Sequence, residues 1–181
     1  VFEDCFIGPP EAPASTRADC AAIDVAEDPA QPDGRRITLR LARVPSRATK
    51  ALPDPLLWLA FVAAATETIR LATGILILPI RNPLVLAKEV ATLDHLSGGR
   101  VDLGIGVGWL EEEFDALGIP FARRGARTDE HIAVLRALWD GDHTSHHGEF
   151  LSFDDVSSNP KPVNGRVPIH IGGHSRAAAE R

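Results

Sequence analysis

Methionine is missing altogether from these 181 residues, and the chain opens on Val1. That combination predicts a non-AUG start, a processed chain or a piece of a longer coding sequence. Cysteine is nearly missing: Cys5 and Cys20 are the only two, too few for a disulfide framework, so a cytoplasmic setting is the expectation. Long apolar runs are lacking as well. The longest, Leu56 to Ala65, is far too short to span a bilayer, which argues against a membrane partner. The start shows no basic segment followed by an apolar stretch, so no secretory signal is read. Excess positive charge is also wanting. The net charge is −6 and no Lys/Arg cluster rises above scatter, which excludes a nucleic-acid surface. What is plentiful is apolar side chain, 44 % of the total, enough to bury a core.

Two parts differ in character. Residues 1–53 hold seven of the 14 prolines, and the stretch from Ala12 to Ala22 lacks clear periodicity. Only Ile37 to Leu41 alternates like a strand, half-exposed because its other face is charged. The expectation is a mostly irregular segment. From Asp54 onward, helix and strand signals follow one another. Asp54-Pro55 is a cap followed by a first-turn proline, opening a buried helix from Leu56 to Thr66. Ile69 to Leu78 is a near-continuous apolar run, as expected of a strand covered on both faces. Asn82-Pro83 repeats the start signal. Leu86, Val90, Leu93 and Leu96 then share one helical face, and Ser97-Gly98-Gly99 ends that helix. Arg100 to Val107 is the next strand. Helices near Leu110–Leu117 and Arg127–Trp139, a polar stretch with a small hairpin around Gly148, and a strand at Val167–Ile171 complete the pattern. The alternation of strand and helix predicts a parallel α/β architecture, with ligands beyond the carboxyl ends of the strands.

Three segments sit at those ends. Gly104-Ile105-Gly106-Val107-Gly108-Trp109 leaves a strand and enters a helix, so glycines and free helix-start amides meet there. Ile171-Gly172-Gly173-His174-Ser175 repeats that geometry. The pair makes a phosphate grip, against the plainer reading that the glycines only permit tight turns. The first segment lacks the spacing of the dinucleotide fingerprint. Ala72-Thr73-Gly74-Ile75 places a glycine inside a buried strand, which marks a bulge or a close backbone approach, or else a packing glycine.

From about Pro53 on, IRLATGILILPIRNPLVLAKEVATLDHLSGGRVDLGIGVGWLEEEFDALG, then NPKP and PIHIGG, resembles the luciferase-like monooxygenase family. It is especially similar to the branch that uses coenzyme F420. The resemblance implies a (β/α)8 TIM barrel, present here as a partial barrel over 54–181. It implies hydride transfer between a deazaflavin, coenzyme F420, or alternatively FMN, and a small-molecule substrate, with a homodimer by family analogy. Relatives carry a non-proline cis peptide in the bulge behind the ring, and the matching bond here is Gly74–Ile75. Gly106, Gly108, Trp109, Gly172 and Gly173 match the phosphate-binding positions. Thr73 and Ser175 are hydroxyl donors, and Ile75 belongs to the bulge. Glu111 stands where some relatives place a proton donor, although Glu111, Glu112 and Glu113 also suit a helix start on dipole grounds alone.

His143, His146 and His147 form an H-x-x-H-H cluster without further ligands on a rigid element, so no metal site is expected. His170 is expected in the core, His174 near the phosphate, and Asp94 and Arg100 as a scaffold pair. Residues 1–53 do not resemble the family's opening, and the chain ends after the third recognisable strand, where relatives of about 250 residues continue. Two competing readings follow. One is a non-catalytic remnant keeping part of the phosphate grip, marginally stable because of open sheet edges. The other is a sugar-phosphate barrel enzyme, which a trans bond at Gly74–Ile75 would favour.

Overall fold

The computed structural model describes residues 3–7, 16–27, 30, 33–43, 53–173 and 176–179. The chain divides into two compact units. The first comprises Val1–Pro53 with Ala65–Ile69, the second Asp54–Ala64 with Arg70–Arg181.

Among its described residues the first unit is not irregular, contrary to expectation. It is an antiparallel sheet of β1 (Glu3–Ile7), β2 (Thr16–Ala26) and β3 (Arg36–Arg43), in that order. Glu3 faces Cys20 and Ala26 faces Arg36 across its two ladders. Only β3 was legible. The Ala-rich β2 carries few large apolar side chains to alternate, and ladders to both neighbours hold it. Even on β3, Ile37, Leu39 and Leu41 are all exposed. Cys5 and Cys20, read as too few for a disulfide framework, are joined by one disulfide.

The second unit opens with α1 (Pro55–Ala64). As expected, Asp54 caps it: one carboxylate oxygen accepts the amides of Leu56 and Leu57 at 3.0 and 3.2 Å, and the other meets Arg81 at 2.5 Å. The long apolar run is not one strand. It is β4 (Leu71–Ala72), an interruption, β5 (Leu76–Ile77) and a single 3-10 turn at Leu78–Ile80. Then α2 (Pro83–Ser97) is capped by Asn82, whose side chain accepts from Leu84 and Val85. It ends on Gly98 in the left-handed region at φ 71°. Leu86, Val90 and Leu93 are buried as their spacing predicts, but Leu96 is exposed.

β6 (Val101–Gly106) is central: β4 and β5 pair with it in parallel on one side, and β9 (Ile169–Ile171) in parallel on the other. Between β6 and β9 come α3 (Glu111–Ala116), α4 (Arg124–Asp140), and the hairpin of β7 (Thr144–His147) and β8 (Ser152–Val156). A short α5 (Arg176–Ala179) follows. This is the parallel α/β order of a partial barrel.

Strand side chains alternate, so Val101, Leu103 and Ile105 share one face of β6, and all are buried. α2 packs on β6 and α1 on β4. Trp139 of α4 is buried and donates its indole N–H to the Ala87 carbonyl of α2 at 3.1 Å. The opposite face of β6 carries Asp102, Gly104 and Gly106, and this is the face that matters below.

The segment from Ser157 to Val167 is tied down by polar side chains. Asp94, buried, accepts the amides of Val101 and Val163; His95 meets the Lys161 carbonyl; and the Lys161 ammonium donates to the carbonyls of Leu138 and Gly141. Arg100 donates to the carbonyls of Ser97 and Ala63. No helix among the described residues is long and apolar enough to cross a membrane.

Candidate cofactor site

The interruption between β4 and β5 is a bulge of one residue. Leu71 and Ala72 stand opposite Val101 and Asp102, whereas Leu76 and Ile77 stand opposite Ile105 and Gly106. Three residues, Thr73, Gly74 and Ile75, therefore face two, Leu103 and Gly104. A glycine on the partner strand makes this possible. A Cβ at Gly104 would lie 2.1 Å from the Thr73 carbonyl oxygen and 2.9 Å from that of Gly74. Gly74 itself is different: a Cβ there meets nothing within 4 Å. The bulge was foreseen at Gly74, but the glycine that sterics demand is Gly104.

The bulge and the two glycine strand ends form one surface. Ile75 lies across both: a Cβ at Gly106 would sit 2.8 Å from its Cγ2, and one at Gly172 would sit 2.2 Å from its Cδ1. Gly172 extends the β6–β9 ladder by donating its amide to the Ile105 carbonyl at 2.8 Å. Gly108, at φ 78°, faces Phe114 and Ile77, and Gly173 faces Ala178. Trp109 is exposed at the mouth of the turn. Among the described residues, the amides of Gly108, Trp109 and Gly173 donate to no protein acceptor. That is what an anion-binding turn requires. So Gly74, Ile75, Gly106, Gly108, Trp109, Gly172 and Gly173 come together at the carboxyl ends of adjacent strands.

Two expectations fare otherwise. Gly74–Ile75 is trans; Asn159–Pro160 is the cis bond among the described residues. The bulge therefore comes from register, not from a cis peptide. Thr73 is buried and turns inward: its hydroxyl donates to the Gly104 carbonyl at 2.7 Å, so that hydrogen is committed to stitching the bulge. Ser175 and His174 lie outside the described residues. Glu111 is the first residue of α3 and is exposed, as are Glu112 and Glu113.

The histidines do not converge. His143 pairs with Asp155, His146 with Glu130 and His147 with Asp154. No group of three metal-ligating side chains forms among the described residues. His170 is not in the core: it lies on the open face of the sheet, 3.2 Å from Asp102. Asp102 also takes a two-pronged contact from Arg70, and this guanidinium holds its carboxyl below the usual range against the opposing effect of burial. A cavity of about 310 Å³ opens at Arg136, Trp139 and Val167 to Ile169, beside the amino end of β9 and away from the glycine turns.

Sequence reasoning missed a second set. Glu130 of α4 accepts the amides of Glu149, Phe150 and Leu151 and meets the His146 ring, clasping the tip of the β7–β8 hairpin. Burial works to raise its pKa, but these hydrogen bonds outweigh it and hold the carboxyl below its ordinary value. Arg123, Arg124 and Arg127 gather at the start of α4, although no basic cluster was read. The spacing R-R-x-x-R at a helix start was the available signal.

Comparisons place this geometry. A family profile described as luciferase-like monooxygenase matches residues 40–181. An uncharacterized protein of Mycobacterium tuberculosis is 38 % identical over 141 residues, 74 % of this chain and 50 % of that protein. An FMNH(2)-dependent dimethylsulfone monooxygenase of Pseudomonas putida is 39 % identical over 121 residues, 65 % of this chain and 33 % of that enzyme. Among solved structures, a monooxygenase from Streptomyces bottropensis is similar at a TM-score of 0.62 and 36 % identity, over 65 % of this chain and 36 % of that one. A coenzyme F420 dependent tetrahydromethanopterin reductase from Methanopyrus kandleri is similar at a TM-score of 0.57 and 25 % identity, over 65 % of this chain and 38 % of that one. The chain thus spans half or less of the length of these relatives. With the profile match covering most of its length, the chain belongs to the luciferase-like monooxygenase family.

Proposed function

We propose that this chain holds a flavin-type cofactor, coenzyme F420 or FMN, and supports hydride transfer involving a small organic substrate. The observation that carries the proposal is the single surface made by the Thr73–Ile75 bulge and the glycines at 104, 106 and 172, spanned by the Ile75 side chain. Gly74 leaves open space where a flat ring can approach the backbone. The unmet amides of Gly108, Trp109 and Gly173 are suited to the cofactor's phosphate, with the Ser175 hydroxyl as a further donor. When bound, the ring supplies the hydride chemistry. Glu111, exposed at the start of α3, is the proton donor in this reading. The trans bond at Gly74–Ile75 favours the competing sugar-phosphate reading on that one point; against it stand the bulge, which would have no role there, and the luciferase-like family match over residues 40–181.

Fluorescence titration with FMN and with coenzyme F420 tests the reading. The expected result is binding of at least one, abolished or sharply weakened by Gly74→Ala without loss of fold. Binding of neither, or binding indifferent to that substitution, would refute it. Tight binding without turnover across several hydride acceptors would instead support the non-catalytic remnant. A homodimer belongs to the same proposal, and a monomer by sedimentation would remove it; a cytoplasmic setting, also part of it, no longer draws support from the cysteines, since Cys5 and Cys20 are bridged.

A further inference from the structure

The start of α4 gathers three guanidinium groups, and among the described residues only one of them has a carboxylate. Arg123 pairs with Glu149. The neighbouring Glu130 is taken up by three hairpin amides and His146. Arg124 lies over Phe121, its Cζ 3.9 Å from the ring centroid, and donates its Nε–H to the Gly108 carbonyl at 3.0 Å. Arg127 lies over Phe150 at 4.7 Å, and its Nε is buried without a hydrogen-bond partner. Neither Arg124 nor Arg127 has a carboxylate partner among the described residues. Three apart on a helix, they are neighbours on one side of it.

A guanidinium carries five N–H donors, and a buried donor left unmet is costly. Here two such forks are held by aromatic rings, and one is fastened to the turn whose own amides lack acceptors. A planar fork matches a phosphate or carboxylate in two-pronged fashion. We propose that Arg124 and Arg127 form an anion subsite beside the Gly106–Trp109 turn, taking the phosphate or carboxylate of the cofactor's tail. The proposal rests on the reading of the site given above.

The test titrates the unaltered chain, Arg124→Gln and Arg127→Gln with four probes: FMN, riboflavin, coenzyme F420 and the tail-free deazaflavin ring. The unaltered chain should prefer a tailed probe to its tail-free counterpart. Each substitution should cut that preference about tenfold, the scale of one charge-assisted hydrogen bond, and leave tail-free binding unchanged. Loss confined to FMN against riboflavin identifies a phosphate monoester; loss confined to the deazaflavin pair identifies the F420 tail, with its phosphodiester and carboxylates. Arg127→Gln leaves the Gly108 contact intact, so it separates lost charge from a collapsed turn. Equal loss of tailed and tail-free probes, or an unchanged preference, would overturn the subsite. Should the unaltered chain bind no ring at all, the cofactor reading fails by itself. Inorganic phosphate then decides the subsite. A rise in melting temperature that both substitutions remove supports it, and no rise in the unaltered chain overturns it.

Discussion

Replacing Gly104 with alanine should be far more damaging than replacing Gly74, although Gly74 is the glycine inside the bulge. At Gly104 the new methyl would lie 2.1 Å from one backbone carbonyl oxygen and 2.9 Å from another, and neither belongs to a flexible side chain. Relief requires β4 and β6 to separate locally. That also breaks the Thr73 hydroxyl bond to the Gly104 carbonyl. Overpacking of this kind costs roughly 1–3 kcal/mol, and one lost hydrogen bond about 1 kcal/mol more. A total near 3 kcal/mol corresponds to a fall of about 6–12 °C in melting temperature for a chain of this size. Gly74→Ala meets nothing within 4 Å, so its melting point should stay within about 2 °C of the parent. Differential scanning calorimetry or far-UV circular dichroism melts of the two proteins give the comparison. A Gly104→Ala protein as stable as the parent, or a Gly74→Ala protein equally crippled, would show that the close approach has been assigned to the wrong residue.

Other consequences follow from the same contacts. Gly172→Ala meets only the far end of the exposed Ile75 side chain, which can rotate aside, so it should destabilise by less than about 1 kcal/mol, and Ile75→Val, which removes the clashing Cδ1, should cancel that small loss in a double-mutant cycle. Glu130 has a depressed folded-state pKa, so in the window between its folded and unfolded values the unfolded chain binds more protons. Its contribution is therefore whole above pH ~4.5 and lost as pH falls through the folded value; Glu130→Gln should flatten that part of the stability–pH curve measured by urea titration. His131 is buried, and burial first, then the nearby Arg127 and His146 charges, depress its pKa against the opposing Leu78 carbonyl and Glu130. Stability should decline as pH drops below ~6.5, and His131→Gln should remove that decline in the same titrations. Reducing the Cys5–Cys20 disulfide, which closes a separation of 15 residues, should cost the β1–β2 pairing up to about 3 kcal/mol, seen as faster amide exchange in that sheet.

Where periodicity reports a buried face, the sequence was readable. Asp54, Asn82 and Gly98 announced helix ends because caps are local chemistry, and Ile132, Leu135 and Leu138 lie buried on α4 as their spacing requires. What failed was whatever depends on pairing between distant segments. The stretch from Ala12 to Ala22 lacks clear periodicity because it carries few large apolar side chains, yet from Thr16 on it belongs to β2, whose hydrogen bonds come from two neighbouring strands. His170 sits in a strand whose inner face is apolar only in part, so an outward Asp102 and Arg70 decide its place, and neither is near it in sequence.

The site shows the same division. Glycines at 104, 106, 108, 172 and 173 stand out in any reading, but not which neighbour each one accommodates. Gly104 yields to a main chain and Gly106 and Gly172 to one side chain, while Gly74 yields to nothing. A glycine with nothing against it is the informative case. Close packing explains the others without a ligand, whereas an empty face beside unmet amides has no explanation within the protein's own contacts. Thr73 makes the converse point. A hydroxyl in a promising motif donates nothing to a ligand while its hydrogen is bound inward, and Arg124, outside the glycine motifs, reaches the turn from sixteen residues away. Chemistry on this scaffold is therefore better sought among donors the fold leaves unsatisfied than among residues whose type alone suggests it.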